Sequence, residues 1–336
     1  MNGGISSYLE VTNAALSKHF LSPEILRRRC TLDRGISHYS RSTTKDGVGR
    51  FAKLPSELLD AVLGRMDIKS LLVFRATCSR AMAAVDAFAA FRKIKAHAPD
   101  VLRMAIAIRT THLYTTTQLF AKLCQTTCDT CAQPATYIDL LKLRRDCFGI
   151  GSSTPNPNYK NVGNSTSPCV SKCAPRLFFE VVQDTGLSPM EVAKLPCFRA
   201  VKGMYGRHCL SSAKVFYDEE AASQHSDARS RGQGHTLDMT LELLAVERMR
   251  SRYCSVLAPF LSPTSEGGER LSFCPVGMKM MMERYEDGSR IGRGHNLAGR
   301  KNIWAYTVCE DFLDMKLYGG EQLVEHLMEK HGGIEG

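Results

Sequence analysis

The sequence predicts a mainly α-helical protein, with a small three-helix unit followed by a mostly helical domain that contains small zinc-stabilised knuckles. Two observations predict this fold class. Apolar residues recur at helical spacing from Phe51 to Ile94, with helix-starting residues between the repeats. Cysteines cluster directly after this segment, since six of the 13 cysteines fall between Cys124 and Cys173. We therefore expect helices first and small metal-binding loops after them.

The composition is that of a folded protein in a reducing compartment. The chain has 336 residues, of which 43% are hydrophobic and 23% are charged, close to the globular average. Its start lacks the pattern of a secretory signal, and no apolar run reaches the roughly 20 residues of a membrane span. We therefore expect a cytoplasmic or nuclear location, where clustered cysteines favour metal over disulfides. We expect no membrane partner.

Composition divides the chain into five segments. Residues 1–47 are rich in Ser, Thr, Gly and Arg, which predicts a disordered extension with one short helical patch near Ser22–Arg28. The remaining segments are the three-helix unit at 48–98, a helical cysteine-containing region at 99–148, a linker or loop at 149–172, and the mostly helical domain at 173–336.

The three-helix unit carries the most information. Pro55 opens the first helix, and Asp67 caps the second. The apolar positions of the three helices are Leu58, Leu59, Val62, Leu63 and Met66; then Ile68, Leu71 and Leu72; then Cys78, Met82, Val85, Phe88 and Phe91. A unit of this size cannot bury so many apolar side chains by itself, which indicates a partner or an adjoining domain.

This segment resembles the F-box. The matching residues are Leu54-Pro55, Glu57-Leu58-Leu59, Leu63, Met66-Asp67, Leu71-Leu72 and the Arg75…Cys78-Ser79-Arg80 stretch, with Phe88 and Phe91 in place of the usual aromatic residue. The resemblance implies a non-catalytic, substrate-recruiting subunit of a cullin–RING (SCF-type) ubiquitin ligase, with an unknown protein as substrate. It also implies which residues face the Skp-type adaptor: Leu54, Pro55, Leu58, Leu59, Leu63, Leu71 and Leu72.

A first zinc site is predicted from the cysteine spacing. Cys124, Cys128 and Cys131 form a C-x3-C-x2-C pattern, and Cys147 follows in the window where a further ligand is expected. The fourth ligand is open between Cys124, Cys169 and Cys173, and buried thiols or a catalytic cysteine are the alternatives to zinc.

The same region resembles a fungal F-box family. In that family a cysteine knuckle, a tyrosine-containing helix and an arginine-cysteine-phenylalanine element follow the F-box. The corresponding residues here are Cys128–Cys131, Tyr137–Leu143 and Arg145–Phe148.

A second zinc site is predicted near the C-terminus. His326 and His331 have the spacing of a zinc-finger histidine pair, and Cys309 precedes them. Cys274, farther away in sequence, could approach Cys309 in the folded chain as a further ligand. The alternative is a pair of exposed histidines on an amphipathic helix.

Two further helices are predicted in the last segment. Ser188 and Glu191 form a capping box with Pro189 at the first helical position, and this helix should stop before Pro196. A longer helix is predicted within Leu237–Phe260. Its apolar stripe consists of Val246, Met249, Tyr253, Val256 and Phe260.

Two other functions compete with the ligase subunit. The net charge of +10, the cysteine and histidine pairs and the basic glycine-rich loop at 289–301 fit a zinc-finger-like nucleic-acid-binding protein. The charge is spread along the chain, however, so a solvated basic surface is favoured over a nucleic-acid partner. A stand-alone metal-dependent enzyme is the other alternative, although the chain has no Walker loop, G-x-S-x-G or H-E-x-x-H motif.

Overall fold

The computed structural model describes residues 20–30, 54–130, 132, 135–147, 174–205, 208–227, 250–264, 268–269, 272–273, 317–318 and 325. Helices dominate the part before residue 124, and short strands join them afterwards, which agrees with the mainly helical class. Among the described residues, no helix has both the length and the apolar composition needed to cross a membrane.

Helices α1 to α7 precede the first strand, and α8 to α10 lie among the later strands. Their bounds are α1 Pro23–Arg29, α2 Ser56–Arg65, α3 Ile68–Arg75, α4 Ser79–Ala87, α5 Ala89–His97, α6 Pro99–Ile108, α7 Thr116–Leu123, α8 Phe178–Thr185, α9 Pro189–Val192 and α10 Glu219–Asp227.

The strands are two or three residues long. They are β1 Tyr137–Asp139, β2 Arg144–Asp146, β3 Arg176–Leu177, β4 Cys197–Arg199, β5 Gly203–Tyr205, β6 His208–Leu210, β7 Val215–Tyr217, β8 Ser255–Leu257, β9 Phe260–Leu261, β10 Gly268–Glu269, β11 Ser272–Phe273 and β12 Leu317–Tyr318. Strand β1 lies between β2 and β8, and β7 lies between β3 and β4, all antiparallel. The remaining strands pair antiparallel as β5–β6, β9–β10 and β11–β12.

One hydrophobic core joins the first helices to the later strands. Its members run from Leu21 through Phe91, Ile138 and Phe198 to Leu261. Side chains of α2 to α7 therefore pack in the same cluster as those of β1, β4 and β8. The F-box-like segment and the region that follows it therefore pack around the same hydrophobic core.

The N-terminal helix α1 is part of this core. Ser22 caps it by accepting a hydrogen bond from Glu24, and the Phe20 ring stacks on Tyr137 with 4.5 Å between the ring centroids. A Cβ added at Gly203 would lie 2.6 Å from Leu21 Cδ1 and 3.3 Å from Ile25 Cδ1, so α1 and the residue before its cap approach β5 closely. The predicted helical patch is confirmed, but the prediction of disorder is wrong for residues 20–30, because Leu21 and Leu26 are buried.

The first two helices of the F-box-like segment are confirmed, and the third prediction is partly wrong. Instead of one helix with Cys78, Val85 and Phe91 on one side, the chain forms α4 and α5. The break occurs at Phe88, whose ψ is 115°. Phe88 is only 8% exposed, so packing of its ring in the core favours a break between two helices over the single helix that the apolar spacing predicts.

The tyrosine-containing helix expected at Tyr137–Leu143 is wrong, and within the region 99–148 the described helices end at Leu123. Tyr137 and Ile138 lie in the central strand of a sheet, and each is 0% exposed. Buried β-branched and aromatic residues fit a strand with neighbours on both edges. Leu143 has a φ of 50°, which marks the turn between β1 and β2.

The helix predicted within Leu237–Phe260 is wrong for its last part. Residues 250–252 form a helical turn, but Val256 lies in β8 and Phe260 in β9. Pro259 has no amide hydrogen and cannot continue a helix through this stretch. Residues 237–249 lie outside the described residues.

The capping box of α9 is confirmed. Ser188 N–H donates to Glu191 Oε2 at 2.9 Å, and Glu191 N–H donates to Ser188 Oγ at 3.4 Å. The helix ends at Val192, before Pro196, as predicted.

Candidate functional site

Helix α2 presents two stripes with different exposure. Leu63 is 1% exposed, and Leu59 and Met66 pack partly buried against the core. On the neighbouring face, about 100° around the helix, Leu58 is 55% exposed and Val62 is 38% exposed. Two large apolar side chains four residues apart on one exposed face form a surface suited to a protein partner.

Helix α2 contacts helix α7 at Gly64. The hydroxyl of Thr117, at the start of α7, donates a hydrogen bond to the Gly64 carbonyl at 3.0 Å. A Cβ at Gly64 would lie 3.0 Å from that hydroxyl oxygen, so the absence of a side chain allows the close approach. This contact orients the inner stripe toward the core and the outer stripe away from it.

Helix α3 begins with a local cap and a tertiary one. Asp67 Oδ1 accepts from Ser70 N–H at 2.9 Å. The first two amides of the helix, those of Ile68 and Lys69, donate to the carbonyl oxygens of Tyr114 and Thr111 at 3.2 and 3.0 Å. Groups that are usually left without partners at a helix start therefore bind the loop before α7.

The faces of α3 repeat the arrangement of α2. Ile68 and Leu71 are 1% and 0% exposed, Leu72 is partly buried against the core, and Val73 on the outer face is 62% exposed. The outer side of this helix therefore adds a third accessible apolar side chain.

An ion-pair network holds α3, α4 and α5 together. Arg75 donates from Nε and from its terminal nitrogen to the two carboxylate oxygens of Asp86, at 2.9 and 2.8 Å. Lys95 Nζ donates to Asp86 at 3.2 Å. Burial raises the pKa of the Asp86 carboxyl, but the hydrogen bonds and charges of Arg75 and Lys95 outweigh it and hold that pKa below its usual value.

The predicted adaptor-facing residues divide into accessible and inaccessible ones. Pro55 and Leu58 are exposed, and Leu54, Leu59 and Leu72 are partly buried. The two others, Leu63 and Leu71, are inside the core of this chain. They have no surface to offer a partner, because the inner stripe must pack on the body to hold the helices in place.

Two accessible residues were missing from that predicted set, Val62 and Val73. The spacing of Val62 from Leu58 is the signal that could have assigned it to the outer stripe of α2. Val73 lies on the side of α3 opposite Leu71 and Leu72, which a helical projection of the sequence also indicates.

The structure brings two of the predicted metal-ligating cysteines together and adds a carboxylate. The ligand atoms of Cys128, Asp146 and Cys147 all lie within 4.8 Å of one another. Cys124 is not part of this cluster. Burial raises the pKa of its thiol, while the charges of Lys93 and Arg145 act to lower it. The structure therefore does not place the Cys124 thiol beside Cys128 and Cys147, and its role as a ligand stays a prediction from sequence.

Arg145 positions the chain around this cluster. Its side chain is 1% exposed and donates to five backbone carbonyl oxygens. They belong to Lys122, Leu123, Ala135, Ala258 and Pro259, at 3.1, 3.0, 3.3, 3.0 and 2.6 Å. Burial lowers the pKa of Arg145 to about 10, so the guanidinium stays charged at neutral pH.

Several predicted site residues lie outside the described residues. They are Cys131, Cys169, Cys173, Cys274, Cys309, His326 and His331, together with the basic loop at 289–301. The second zinc site and the part played by Cys131 stay predictions from sequence.

Comparison with known families identifies the helical segment. A family model described as the F-box domain matches residues 51–92. Those residues therefore form an F-box domain. F-box domains are non-catalytic modules that bind Skp-type adaptors in SCF ubiquitin ligases. Searches of curated proteins and of solved structures found no match to the chain.

Proposed function

We propose that this protein is a substrate-recruiting subunit of an SCF-type ubiquitin ligase, which docks on the Skp-type adaptor through the outer faces of α2 and α3. The observation that carries the proposal is the exposure of Leu58, Val62 and Val73 within the F-box domain, on helices that each pack one stripe of apolar side chains on the core. These side chains have apolar area left to bury on a partner.

The energetics favour docking by these side chains. Full burial of one such side chain stabilises a complex by roughly 1.5–3 kcal/mol, and these three start partly exposed, so each contributes somewhat less. Pro55, exposed at the start of α2, and the half-buried Leu54 extend the apolar area. The inner residues Leu63 and Leu71 contribute indirectly, because their burial fixes the helices that carry the outer ones.

The substrate-recruiting role belongs to the region after the F-box in this proposal. That region shares one hydrophobic core with α2 to α5, so a substrate bound to it is held at a defined position relative to the adaptor. Such an arrangement raises the effective concentration of the ubiquitin-charged enzyme near the substrate, and no residue of this chain need form or break a covalent bond.

The docking test uses the double variant Leu58→Asp with Val62→Asp. Both positions are exposed, so the fold should persist, while two carboxylates in an apolar interface should weaken the adaptor complex by about 100-fold or more. Binding of the purified full chain to a Skp-type adaptor is measured by titration calorimetry. Met190→Asp is the matched control, because Met190 is 74% exposed but lies on α9, far from the F-box domain in sequence.

A third variant separates docking from folding. Leu71→Ala removes a fully buried side chain and should lower the free energy of unfolding by about 2–5 kcal/mol, with adaptor affinity retained in the folded fraction. If the Leu58/Val62 double variant binds the adaptor as tightly as the unmodified chain, the proposed docking face is wrong.

Substrate recruitment is tested with the same double variant in cells. Affinity purification with the unmodified chain should recover adaptor, cullin and substrates, whereas the variant should lose adaptor and cullin but keep the substrates. Substrate abundance should rise when the variant is overexpressed, because it occupies substrates without delivering them. Loss of every associated protein from a folded variant would contradict a separate substrate-binding region.

A further inference from the structure

The cluster of Cys128, Asp146 and Cys147 has the dimensions of a metal site. In a tetrahedral zinc site the zinc–sulfur distance is about 2.3 Å, which puts two ligand sulfurs about 3.8 Å apart. The three ligand atoms lie within 4.8 Å of one another, so small side-chain rotations suffice to converge on one ion. Two thiolates and one carboxylate are a donor set suited to zinc.

The two thiols are enclosed by protein. Cys128 is 3% exposed and Cys147 is 0% exposed. The Thr130 amide donates to Cys128 Sγ at 3.4 Å, a backbone contact that stabilises negative charge on a ligating sulfur. Burial of both thiols fits an ion that holds the chain together rather than one that must meet a substrate, and three protein ligands leave the fourth tetrahedral position to a water molecule.

Hydrogen bonds hold the two halves of the cluster side by side. The Asp129 amide donates to the Arg145 carbonyl at 3.1 Å, and the Arg145 amide donates to Asp129 Oδ2 at 2.7 Å. These bonds join the residue after Cys128 to β2, whose last residue is Asp146. Lys122 Nζ also donates to Asp129, at 2.9 Å, so α7 fixes the same loop. The thiols are therefore brought together by the backbone arrangement around them.

Among the described residues, few apolar side chains pack around the loop that contains Cys128. Cys128, Ala135 and Cys147 form a hydrophobic cluster separate from the main core. Three small side chains bury little apolar area, and segments with so small a core commonly depend on a metal or a disulfide. In this cluster two of the three members are thiols.

We infer that Cys128, Cys147 and Asp146 hold a structural zinc ion, which links the loop after α7 to the end of β2. Binding releases the thiol protons of Cys128 and Cys147 and forms two zinc–sulfur bonds and one zinc–oxygen bond to Asp146. The hydrated ion gives up its other waters and keeps one as the fourth ligand, and no group is oxidised or reduced. The ion stabilises the position of Arg145, the residue before Asp146. Arg145 donates to the Lys122 carbonyl at the end of α7, and Thr117 at the start of α7 donates to Gly64 on the F-box helix α2.

The test is site-resolved alkylation of the full chain, purified under mild reducing conditions. A thiol-reactive reagent is added before and after treatment with a zinc chelator, and each cysteine-containing peptide is quantified by mass spectrometry. Cys128 and Cys147 should be protected until the chelator is added, and re-addition of zinc should restore their protection. Cys209, which is exposed in β6, should react throughout and serves as the internal control.

The alternatives give different patterns. A disulfide between Cys128 and Cys147 would be protected until strong reductant is added and would be indifferent to chelator, which would overturn the inference. Protection lost only on full unfolding, with no response to chelator or reductant, would show ordinary buried thiols and would also overturn it. Only chelator-sensitive, zinc-restored protection supports the site.

Variants supply a second readout that does not need the variant to be fully stable. Zinc bound per chain, measured by elemental analysis, should fall by about one equivalent in Cys128→Ser and in Cys147→Ser and stay unchanged in Cys209→Ser. Asp146→Asn should weaken zinc binding without abolishing it, because both thiolates remain. If neither cysteine variant unfolds, cobalt(II) added to the chelator-treated chain should show sulfur-to-cobalt charge-transfer absorption that both variants reduce. Unchanged zinc content in both cysteine variants would contradict the inference.

Discussion

Lys93 and Pro263 are joined by a hydrogen bond across 170 residues of sequence, from Lys93 Nζ to the Pro263 carbonyl at 2.8 Å. Lys93 lies on α5, just after the last residue matched to the F-box domain, and Pro263 follows β9. The ammonium group also donates to the Ser262 carbonyl at 3.3 Å and lies 5.9 Å from the centre of the Phe120 ring. This contact binds the helical half of the protein to its strand-containing half.

The first prediction concerns this contact. Lys93→Met should keep the apolar stem and remove the charged donor, leaving two carbonyl groups to find water. We expect the free energy of unfolding to fall by about 1–3 kcal/mol, as measured by chemical denaturation. Lys69→Met is the matched control, because the Lys69 side chain is exposed, and its stability should be nearly unchanged. Equal stabilities of the two variants would contradict the structural role of Lys93.

The second prediction concerns Arg145. Arg145→Met removes the donor of five backbone carbonyl oxygens in the protein interior. The free energy of unfolding should therefore fall by about 3–5 kcal/mol. Arg145→Lys should recover part of the loss, since an ammonium group cannot reproduce the planar fork of five donors.

The neighbouring residue is a natural control for Arg145. The Arg144 side chain is 48% exposed and pairs with Glu220 at the surface. Arg144→Met should therefore cost less than about 1 kcal/mol in the same denaturation experiment. If the Arg144 variant were the less stable of the two, the assignment of Arg145 as the central donor would be wrong.

Local signals in the sequence were enough to predict the starts of α2, α3 and α9. Asp67 and Ser188 accept hydrogen bonds from amides of the next turn, and the ring of Pro55 fixes its own φ at the N-cap of α2, so each effect depends only on neighbouring residues. The direction in which Leu63 and Leu71 point was not predictable in the same way. A wide apolar face has several stable orientations, and the contacts of α2 with Thr117 and of α3 with Tyr114 select one.

The strands were missed because their partners are distant in sequence. Tyr137–Asp139 is three residues long and pairs with Ser255–Leu257, more than a hundred residues later. No local pattern distinguishes such a strand from one turn of helix. Asp146 was missed for another reason, because ligand spacing was followed through cysteines alone, although a carboxylate directly beside Cys147 was visible in the sequence.

The third prediction is a pH dependence of stability that comes from Asp86. The pKa of this carboxyl is lowered from its usual value of 3.8 in the folded chain, so its contribution to stability is present above that value and is lost as the pH falls below it. Asp86→Asn should lower the thermal unfolding midpoint at neutral pH, and the difference from the unmodified chain should shrink below pH about 4.

Asp60 provides the comparison for that experiment. It lies exposed on α2, and Asp60→Asn should leave the midpoint nearly unchanged at both pH values. A stability difference for Asp86→Asn that stayed constant with pH would show that the carboxylate charge does not stabilise the contact with Arg75 and Lys95.

The fourth prediction separates the metal ligands suggested by cysteine spacing from those suggested by geometry. Spacing places Cys124 with Cys128 and Cys147, but the structure places the Cys124 thiol outside the Cys128–Asp146–Cys147 cluster, where its side chain packs against the main core. Cys124→Ser should therefore retain the chelator-sensitive protection of Cys128, whereas Cys147→Ser should abolish it. The serine keeps nearly the same volume, so only a modest loss of stability is expected from polarity at a half-buried site. If Cys124→Ser removed the protection instead, the sulfur of Cys124 would have to reach the ion, and the turn between α7 and Cys128 would have to rearrange when zinc binds.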